Sequence, residues 1–210
     1  MTLRIIIIAL LLVVIVLSVR SFSTGKTAPT VDQAEAVYDN ILSRSSIRSY
    51  ESRSVEKEKI EKLLKAGMAA PSAANRQPWH LVAITDKDVL QKVADANPNA
   101  GFAAKAPLVI VVCGDTDQAL SGEGQAFWVQ DCSAVSENIL LAAHAMGLGA
   151  VWTGFYPIQE RCRALADVLG LPSNIVPLNA IVIGYPKAPG TPKDKWDAAK
   201  VSYNHFGGKE

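Results

Sequence analysis

Residues 69–80 read AAPSAANRQPWH and stand between an amphipathic segment and an apolar run that begins at Leu81. Two prolines fix the backbone over this stretch, and its small residues permit another group to approach closely. Asn75 and Gln77 bring amide donors and acceptors that suit the polar edge of a flat heteroaromatic ring. From these residues alone, the stretch fits a helix-to-strand loop with Trp79 in the core as well as it fits a binding site.

Outward from this loop, the spacing of apolar residues predicts helices and short strands. The predicted helices cover residues 31–43, 87–96, 124–147 and 158–169, with a further helix between the capping candidate Ser54 and Pro71; the predicted strands cover residues 81–84, 107–113, 150–153 and 178–184. Two helices precede the first strand, so the regular alternation of a doubly wound sheet is missing, and a layered α+β fold fits best. The Ala-rich segment 124–147 is more apolar than one sheet face requires, which indicates burial on several sides, either within the chain or in a subunit interface. A homodimer is the simplest expectation.

Charge and cysteine usage exclude several classes of protein. The 210 residues carry a formal net charge of +1, which does not indicate a nucleic-acid partner. Three widely spaced cysteines form neither a disulfide framework nor a zinc motif, and we expect them to be small buried residues. The three histidines show no metal-ligand spacing, so we expect no metal.

The N-terminus carries a nearly continuous apolar segment that we do not expect to belong to the folded domain. Residues 5–19 read IIIIALLLVVIVLSV, somewhat fewer than the roughly 20 residues that cross a bilayer comfortably, although Leu3, Arg4 and Arg20 extend the run. This segment is either an uncleaved membrane anchor, which its Leu/Ile/Val density favours, or a secretion signal that is cleaved. The flanking charges do not decide which side of the membrane carries the protein. The predicted organisation is an apolar segment over residues 1–19, a linker over 20–30 and one domain over 31–210.

A second polar cluster, SRSSIR at residues 43–48, follows the first predicted helix. Two arginines and three hydroxyls are suited to surround a phosphate or a polyol. The same residues also fit a basic helix end that complements the helix dipole. The chain lacks GxGxxG, GxxxxGK[ST] and GxSxG, so dinucleotide-fold, phosphate-loop and hydrolase interpretations lose their main support.

Taken together, SRSSIRSY and APSAANRQPWHLV resemble the opening of the FMN-dependent nitroreductase family. FWVQDCSAVSENILLAAHAMGLGAVWTGF at residues 127–155 is similar to the central helix and following strand of that family, and IVIGYP at 181–186 to its last strand. The resemblance spans residues 38–206. It implies a nitroreductase-like α+β fold, with a mixed, mainly antiparallel sheet flanked by helices.

The resemblance also implies roles for particular residues. Residues that would hold the phosphate and ribityl chain of FMN are Arg44, Ser45, Ser46 and Arg48, and residues that would line the isoalloxazine are Pro71, Ser72 and Asn75. Thr153 and Gly154 match positions that approach the flavin from the other side, and Lys193 and Lys195 match basic residues near the phosphate. The ending of this chain departs from the family pattern around these two lysines. Arg76 is left to face substrate, solvent or a second subunit, and Gln77 is expected at most to brace the loop.

By resemblance, hydride passes from NADH or NADPH to flavin N5 and then to a small acceptor such as a nitroaromatic or a quinone. The protein supplies position and electrostatics, so no catalytic side chain is implied. One alternative is a membrane-tethered flavin-binding or electron-carrier module without NAD(P)H turnover of its own. Another is a structural membrane-anchored domain, which predicts no flavin.

Overall fold

The computed structural model describes residues 32–209. The predicted apolar segment 1–19 and linker 20–30 lie outside these residues. The compact unit that contains the sheet begins at Tyr38, and residues 32–37 belong to a separate unit. Within the described part of the chain, every helix is too short or too polar to span a membrane.

Five helices and four strands make up the described chain, with short 3₁₀ turns between them. The helices are α1 Gln33–Ser43, α2 Lys57–Met68, α3 Lys87–Asp95, α4 Phe127–Ala145 and α5 Gln159–Leu169. The strands are β1 Trp79–Ile84, β2 Leu108–Asp115, β3 Gly149–Gly154 and β4 Ile175–Gly184. Each predicted element is present, with bounds that differ by one to three residues at most ends.

Two predicted helix starts were wrong. The N-cap of α2 is Glu56 rather than Ser54, and the Glu56 carboxylate bonds to Arg53 and Tyr185 instead of capping the helix. Helix α4 begins at Phe127 rather than at residue 124, because residues 122–126 form a 3₁₀ turn that Gly122 opens at φ 64°. Glycine disfavours the α-helix and tolerates this left-handed conformation.

The sheet has the order β1-β2-β4-β3, and all of its neighbouring strands are antiparallel. The prediction of an α+β fold with a mainly antiparallel sheet is therefore confirmed. Strands β2 and β4 are central and nearly continuous in apolar residues, as expected for strands covered on both faces. Strands β1 and β3 form the two edges.

Alternate residues of β2 face two separate hydrophobic layers. Leu108, Ile110 and Val112 pack in the layer that contains α2 and α4, whereas Val109 and Val111 pack in the layer that contains α3 and α5. All five are fully buried, and each contributes about 1.5–3 kcal/mol through the removal of its side chain from water. The sheet therefore lies between two helical layers, and loops adjoin its edge strands β1 and β3.

The three cysteines, Cys113, Cys132 and Cys162, are free and buried, as predicted. Burial raises the pKa of the Cys113 thiol to about 12. These thiols therefore stay protonated and act as small core residues.

Candidate functional site

The segment of residues 44–48, which we call the cradle, runs along the free edge of β3. The backbone N–H of Ile47 donates to the carbonyl of Ala150 at 3.1 Å, and Ser46 forms a parallel bridge with the same residue. A glycine is required opposite Ile47, since a Cβ on Gly149 would lie 2.7 Å from Ile47 Cγ2. The strand edge and this close contact fix the backbone from which Arg44 and Arg48 extend.

Tyr50 connects the cradle to strand β4 of the sheet. Its side chain is buried, and its hydroxyl contacts the carbonyl oxygens of Ile47 and Val182, the latter at 2.9 Å. Burial raises the pKa of this phenol well above its usual value, although the nearby charge of Arg48 acts in the opposite direction. The hydroxyl therefore remains a hydrogen-bond donor and connects the cradle to the core strand β4.

A second support lies just beyond the cradle, at the end of β4. The Tyr185 carbonyl accepts from the N–H of Glu51 at 2.8 Å, and the Tyr185 hydroxyl donates to Glu56 Oε2 at 2.6 Å. Lys59 Nζ donates to the same hydroxyl at 2.9 Å, and the Arg53 guanidinium lies 4.0 Å from the ring centroid. The hydrogen bond from Tyr185 is the main reason that the pKa of Glu56 falls to about 2.

The cradle opens into a cavity of about 240 Å³ that is rich in cations and hydroxyls. It is lined by Arg44, Ser45, Ser46, Arg48, Thr191, Lys193 and Lys195, and no Asp or Glu is among these lining residues. The Arg44 side chain is only 18% exposed, and its Nε lies 3.7 Å from Glu137 Oε1. Paired guanidinium donors, ammonium groups and hydroxyls are the groups that bind phosphate in proteins.

This cavity brings together every residue to which the sequence assigned a phosphate or ribityl role. It includes the two lysines of the C-terminal segment, which lie almost 150 positions after the cradle in the chain. Thr191 was missed, because a single threonine in a Pro/Gly-rich segment gives no signal. The close approach of the C-terminal segment depends on Gly190, where a Cβ would overlap Ser45.

A second cavity of about 300 Å³ adjoins the end of β3 and shares Arg48 with the first. Its other lining residues include Thr153, Gly154, Asn97, Asn99, Phe102, Trp152, Tyr156 and Arg161. The Thr153 hydroxyl is buried and donates to the Ala180 carbonyl at 2.6 Å, so it is engaged in the sheet. Gly154 is exposed, and its carbonyl accepts from Asn97 Nδ2 at 2.9 Å.

Asn97, Asn99 and Arg161 were not predicted as site residues. Asn97 is almost fully buried and precedes a proline, and the sequence pattern there indicates only the end of a helix. Arg161 lies on α5, whose amphipathic pattern does not separate a cavity-lining arginine from a solvated one. These residues join the site only because α5 and the loop after α3 both border the end of β3.

Residues 71–78, which we call the Pro-Ser loop, adopt an unusual backbone. Ala74, Asn75 and Gln77 have φ of 46°, 53° and 52°, a left-handed region that non-glycine residues rarely occupy. The loop closes on itself, since the Gln77 N–H donates to Ser72 Oγ at 2.9 Å and Gln77 Nε2 donates to Asn75 Oδ1 at 3.0 Å. Gln77 therefore braces the loop, and Asn75 and Gln77 remain exposed.

Hydrogen bonds connect both halves of the Pro-Ser loop to the rest of the chain, and the Pro78 carbonyl accepts one of them from the N–H of Asp115 at 2.9 Å. Arg76 Nε donates to the Gln118 carbonyl at 3.1 Å, and the N–H of Ala73 donates to Asp131 Oδ1 on α4 at 2.9 Å. Asp131 was missed, although the sequence carries a signal for it. A carboxylate on the buried stripe of an apolar helix requires a polar partner elsewhere in the fold.

Within the single chain, the Pro-Ser loop and the cradle serve opposite edges of the sheet. The loop leads into β1, whereas the cradle lies against β3, and two strands separate them. With neighbouring strands about 4.8 Å apart, the two edges are roughly 14 Å apart. Pro71, Ser72 and Asn75 line neither cavity.

Comparison with known proteins identifies the family. The family model described as nitroreductase matches residues 41–100 and 91–185. The chain belongs to the nitroreductase family. A protein of Methanothermobacter thermautotrophicus, provisionally named NADH dehydrogenase/NAD(P)H nitroreductase, is 41% identical over 167 residues, which cover 79% of this chain and 85% of that protein.

Solved structures of nitroreductase relatives have the same fold as this chain. A Parabacteroides distasonis protein with the same provisional name superposes with a TM-score of 0.77 at 45% identity, covering 81% of this chain and 98% of that one. An FMN-dependent nitroreductase from Clostridium difficile superposes with a TM-score of 0.74 at 29% identity, over 80% and 99% of the two chains. The cradle, the Pro-Ser loop and β3 of this nitroreductase-family chain lie within the matched residues, whereas Lys193 and Lys195 lie beyond them.

Proposed function

We propose that this chain binds FMN and passes hydride from NADH or NADPH through flavin N5 to a small acceptor such as a nitroaromatic or a quinone. The observation that carries the proposal is the pair of cavities joined at Arg48, one rich in phosphate-binding groups and one bordered by Gly154. The names of the relatives support it, since one is called FMN-dependent and another refers to NAD(P)H.

The donor groups of the first cavity fit the phosphate of FMN. Arg44 presents a planar fork whose Nε faces Glu137, and the hydroxyls of Ser45 and Ser46 add short donors. Lys193 and Lys195 contribute charge from the opposite wall. FMN, when bound, supplies a redox centre that accepts hydride and returns two electrons to a second substrate.

The second cavity fits the role of a site that orients a ring. Phe102, Trp152 and Tyr156 give it aromatic walls, and Arg48 places a cation at the junction with the phosphate cavity. Its described lining residues contain no carboxylate and no imidazole. The chain therefore acts through position and charge rather than through an acid–base pair, as expected when a cofactor carries the chemistry.

The test is the flavin content and NAD(P)H oxidation of the purified full chain. We expect bound FMN, and oxidation of NADH or NADPH that depends on an added quinone or nitroaromatic. Bound flavin without oxidation would instead support the membrane-tethered flavin or electron-carrier module. The absence of flavin after loading would contradict both functions.

We further infer that the chain acts as a homodimer in which each flavin is held by the cradle of one protomer and the Pro-Ser loop of its partner. The separation of these two regions in one chain supports this arrangement. So do the exposed apolar side chains of Tyr38, Ile41, Leu42 and Trp196, which line a groove of about 720 Å³. Sedimentation should give a dimer, and a monomer that binds FMN fully would contradict the shared site.

We also infer that residues 3–19 tether the enzyme to a membrane. The inference rests on the apolar composition of this segment, and secretion after cleavage is the alternative. Protease protection in intact cells, together with the mass of the purified chain, tests both the tether and the side of the membrane. If the cells themselves cleave off residues 3–19 and the shortened chain is recovered outside the membrane fraction, the tether is contradicted.

A further inference from the structure

Asp131 is a buried carboxylate on the inward face of α4. Its residue exposure is 7%, and its neighbours on the same stripe of the helix are the buried Trp128, Cys132 and Val135. A carboxylate in such surroundings costs free energy unless it accepts hydrogen bonds. The bond that the structure gives it comes from the backbone N–H of Ala73, 58 positions earlier, at 2.9 Å.

The Pro-Ser loop has particular need of an external anchor. Three of its non-glycine residues hold a left-handed backbone, each at a cost of about 1–3 kcal/mol. The bonds from Gln77 to Ser72 and to Asn75 only close the loop on itself. Arg76 and the Pro78 carbonyl fix its C-terminal half to Gln118 and Asp115, which leaves the N-terminal half to a different anchor. The N–H of Ala73 opens the 3₁₀ turn Ala73–Asn75, so the bond to Asp131 fixes the loop at the point where its unusual backbone begins.

We infer that Asp131 is a positioning residue for the flavin site, acting through Ala73 to hold the Pro-Ser loop in its ligand-facing shape. The carboxylate is buried and does not line either cavity, so its effect on the flavin is transmitted by the loop backbone. The link to flavin rests on the proposed function, whereas the link to the loop stands on the contact alone. Asp131 therefore determines where Asn75 meets the flavin edge.

Two substitutions distinguish the effect of the hydrogen bond between Ala73 and Asp131 from the effect of the Asp131 charge. Asp131→Ala removes the acceptor, whereas Asp131→Asn keeps an acceptor oxygen and removes the charge. Ser136→Ala is the matched control, because Ser136 is also buried on α4 but its hydroxyl bonds to the Cys132 carbonyl and to Asn179 rather than to the loop. For each full-length variant, the measurements are amide hydrogen exchange at Ala73, the FMN dissociation constant and the thermal midpoint.

We expect Asp131→Ala to accelerate exchange at Ala73 and to weaken FMN binding about tenfold, whereas Asp131→Asn restores both. Ser136→Ala should lower the thermal midpoint and leave FMN binding unchanged. Equal loss of FMN affinity in Asp131→Ala and Ser136→Ala, or in Asp131→Asn and Asp131→Ala, would overturn the positioning role. If the wild-type chain binds no FMN, the proposed function fails, and exchange at Ala73 still decides whether Asp131 anchors the loop.

Discussion

The cradle and the Pro-Ser loop are held by different means and offer different groups. Residues 44–48 lie along a strand edge, are tied to Ala150 by backbone contacts and to the core by Tyr50, and present cationic side chains. The loop at residues 71–78 has a left-handed backbone that side chains hold in place, and it presents small groups and an amide. We therefore expect the cradle to control how tightly a phosphate binds, and the loop to control the redox potential of the bound ring.

The largest expected effect is on the cradle. Arg44→Ala combined with Arg48→Ala should weaken FMN binding at least about 100-fold, because charge-assisted bonds of about 1.5–3 kcal/mol each are lost. Riboflavin, which has no phosphate, should lose much less affinity, and the exposed Arg163→Ala should behave as wild type. Fluorescence titration measures each affinity. Unchanged FMN binding would show that the cradle does not hold the phosphate.

A smaller effect, on the stability of the fold, is expected from Tyr50, which bonds to the backbone of the cradle. Tyr50→Phe removes the hydroxyl that contacts the carbonyls of Ile47 and Val182 and should lower the free energy of unfolding by about 1–2 kcal/mol. Urea denaturation measures the loss, with the exposed Tyr203→Phe as the control. A stability equal to that of wild type would mean that the cradle is held by the strand edge alone.

On the loop, the comparison predicts a change in the flavin rather than in its affinity. Asn75→Asp keeps the acceptor for Gln77 but puts a negative charge on the exposed loop, and should make the flavin midpoint potential more negative by about 30 mV. Equilibration with a reference dye measures the potential. Asn204→Asp, at an exposed residue that is also left-handed, is the control. An unchanged potential in Asn75→Asp would argue that Asn75 does not touch the ring.

The smallest effect tests the strained backbone itself. Ala74→Gly relieves a φ of 46°, and because this relief offsets the entropic cost of glycine of about 0.5–1 kcal/mol, the free energy of unfolding should stay the same or rise. Ala134→Gly inside α4 should cost about 1 kcal/mol, since glycine is a poor helix former. Thermal or urea unfolding compares the two. A loss at Ala74 as large as that at Ala134 would contradict the strain.

Much of the fold was predictable, because apolar periodicity reports local structure. The buried runs of β2 and β4 and the Ala-rich α4 are visible in the sequence without any partner. The order β1-β2-β4-β3 was not, since it depends on strand pairing between distant residues. The exposure of Tyr38 on α1 was also beyond prediction, because an apolar helix face has the same pattern whether the chain's own core or a partner covers it.

The candidate site was also predictable only in part. Arg44, Arg48 and Lys193 were assigned to one phosphate by resemblance to the family, and the structure brings the three side chains to the same cavity. Asp131 and Tyr50 act through single long-range hydrogen bonds, which leave no periodic trace in a sequence. The separation of the cradle and the Pro-Ser loop follows from the sheet order together with the strand registers, which pair Trp79 with Gly114 and Ala150 with Ile183.

Flavin binding by mixed dimers decides whether the cradle of one protomer and the Pro-Ser loop of its partner hold the same FMN. Arg44→Ala/Arg48→Ala breaks the cradle, and Ala74→Trp blocks the loop with a bulky side chain at an exposed position. Each variant alone should bind little FMN, whereas an equal mixture refolded together should regain about a quarter of the sites, because half of the dimers are hybrids with one intact site. If the mixture binds no more FMN than the two variants alone, the cradle and the Pro-Ser loop do not share a flavin across two protomers.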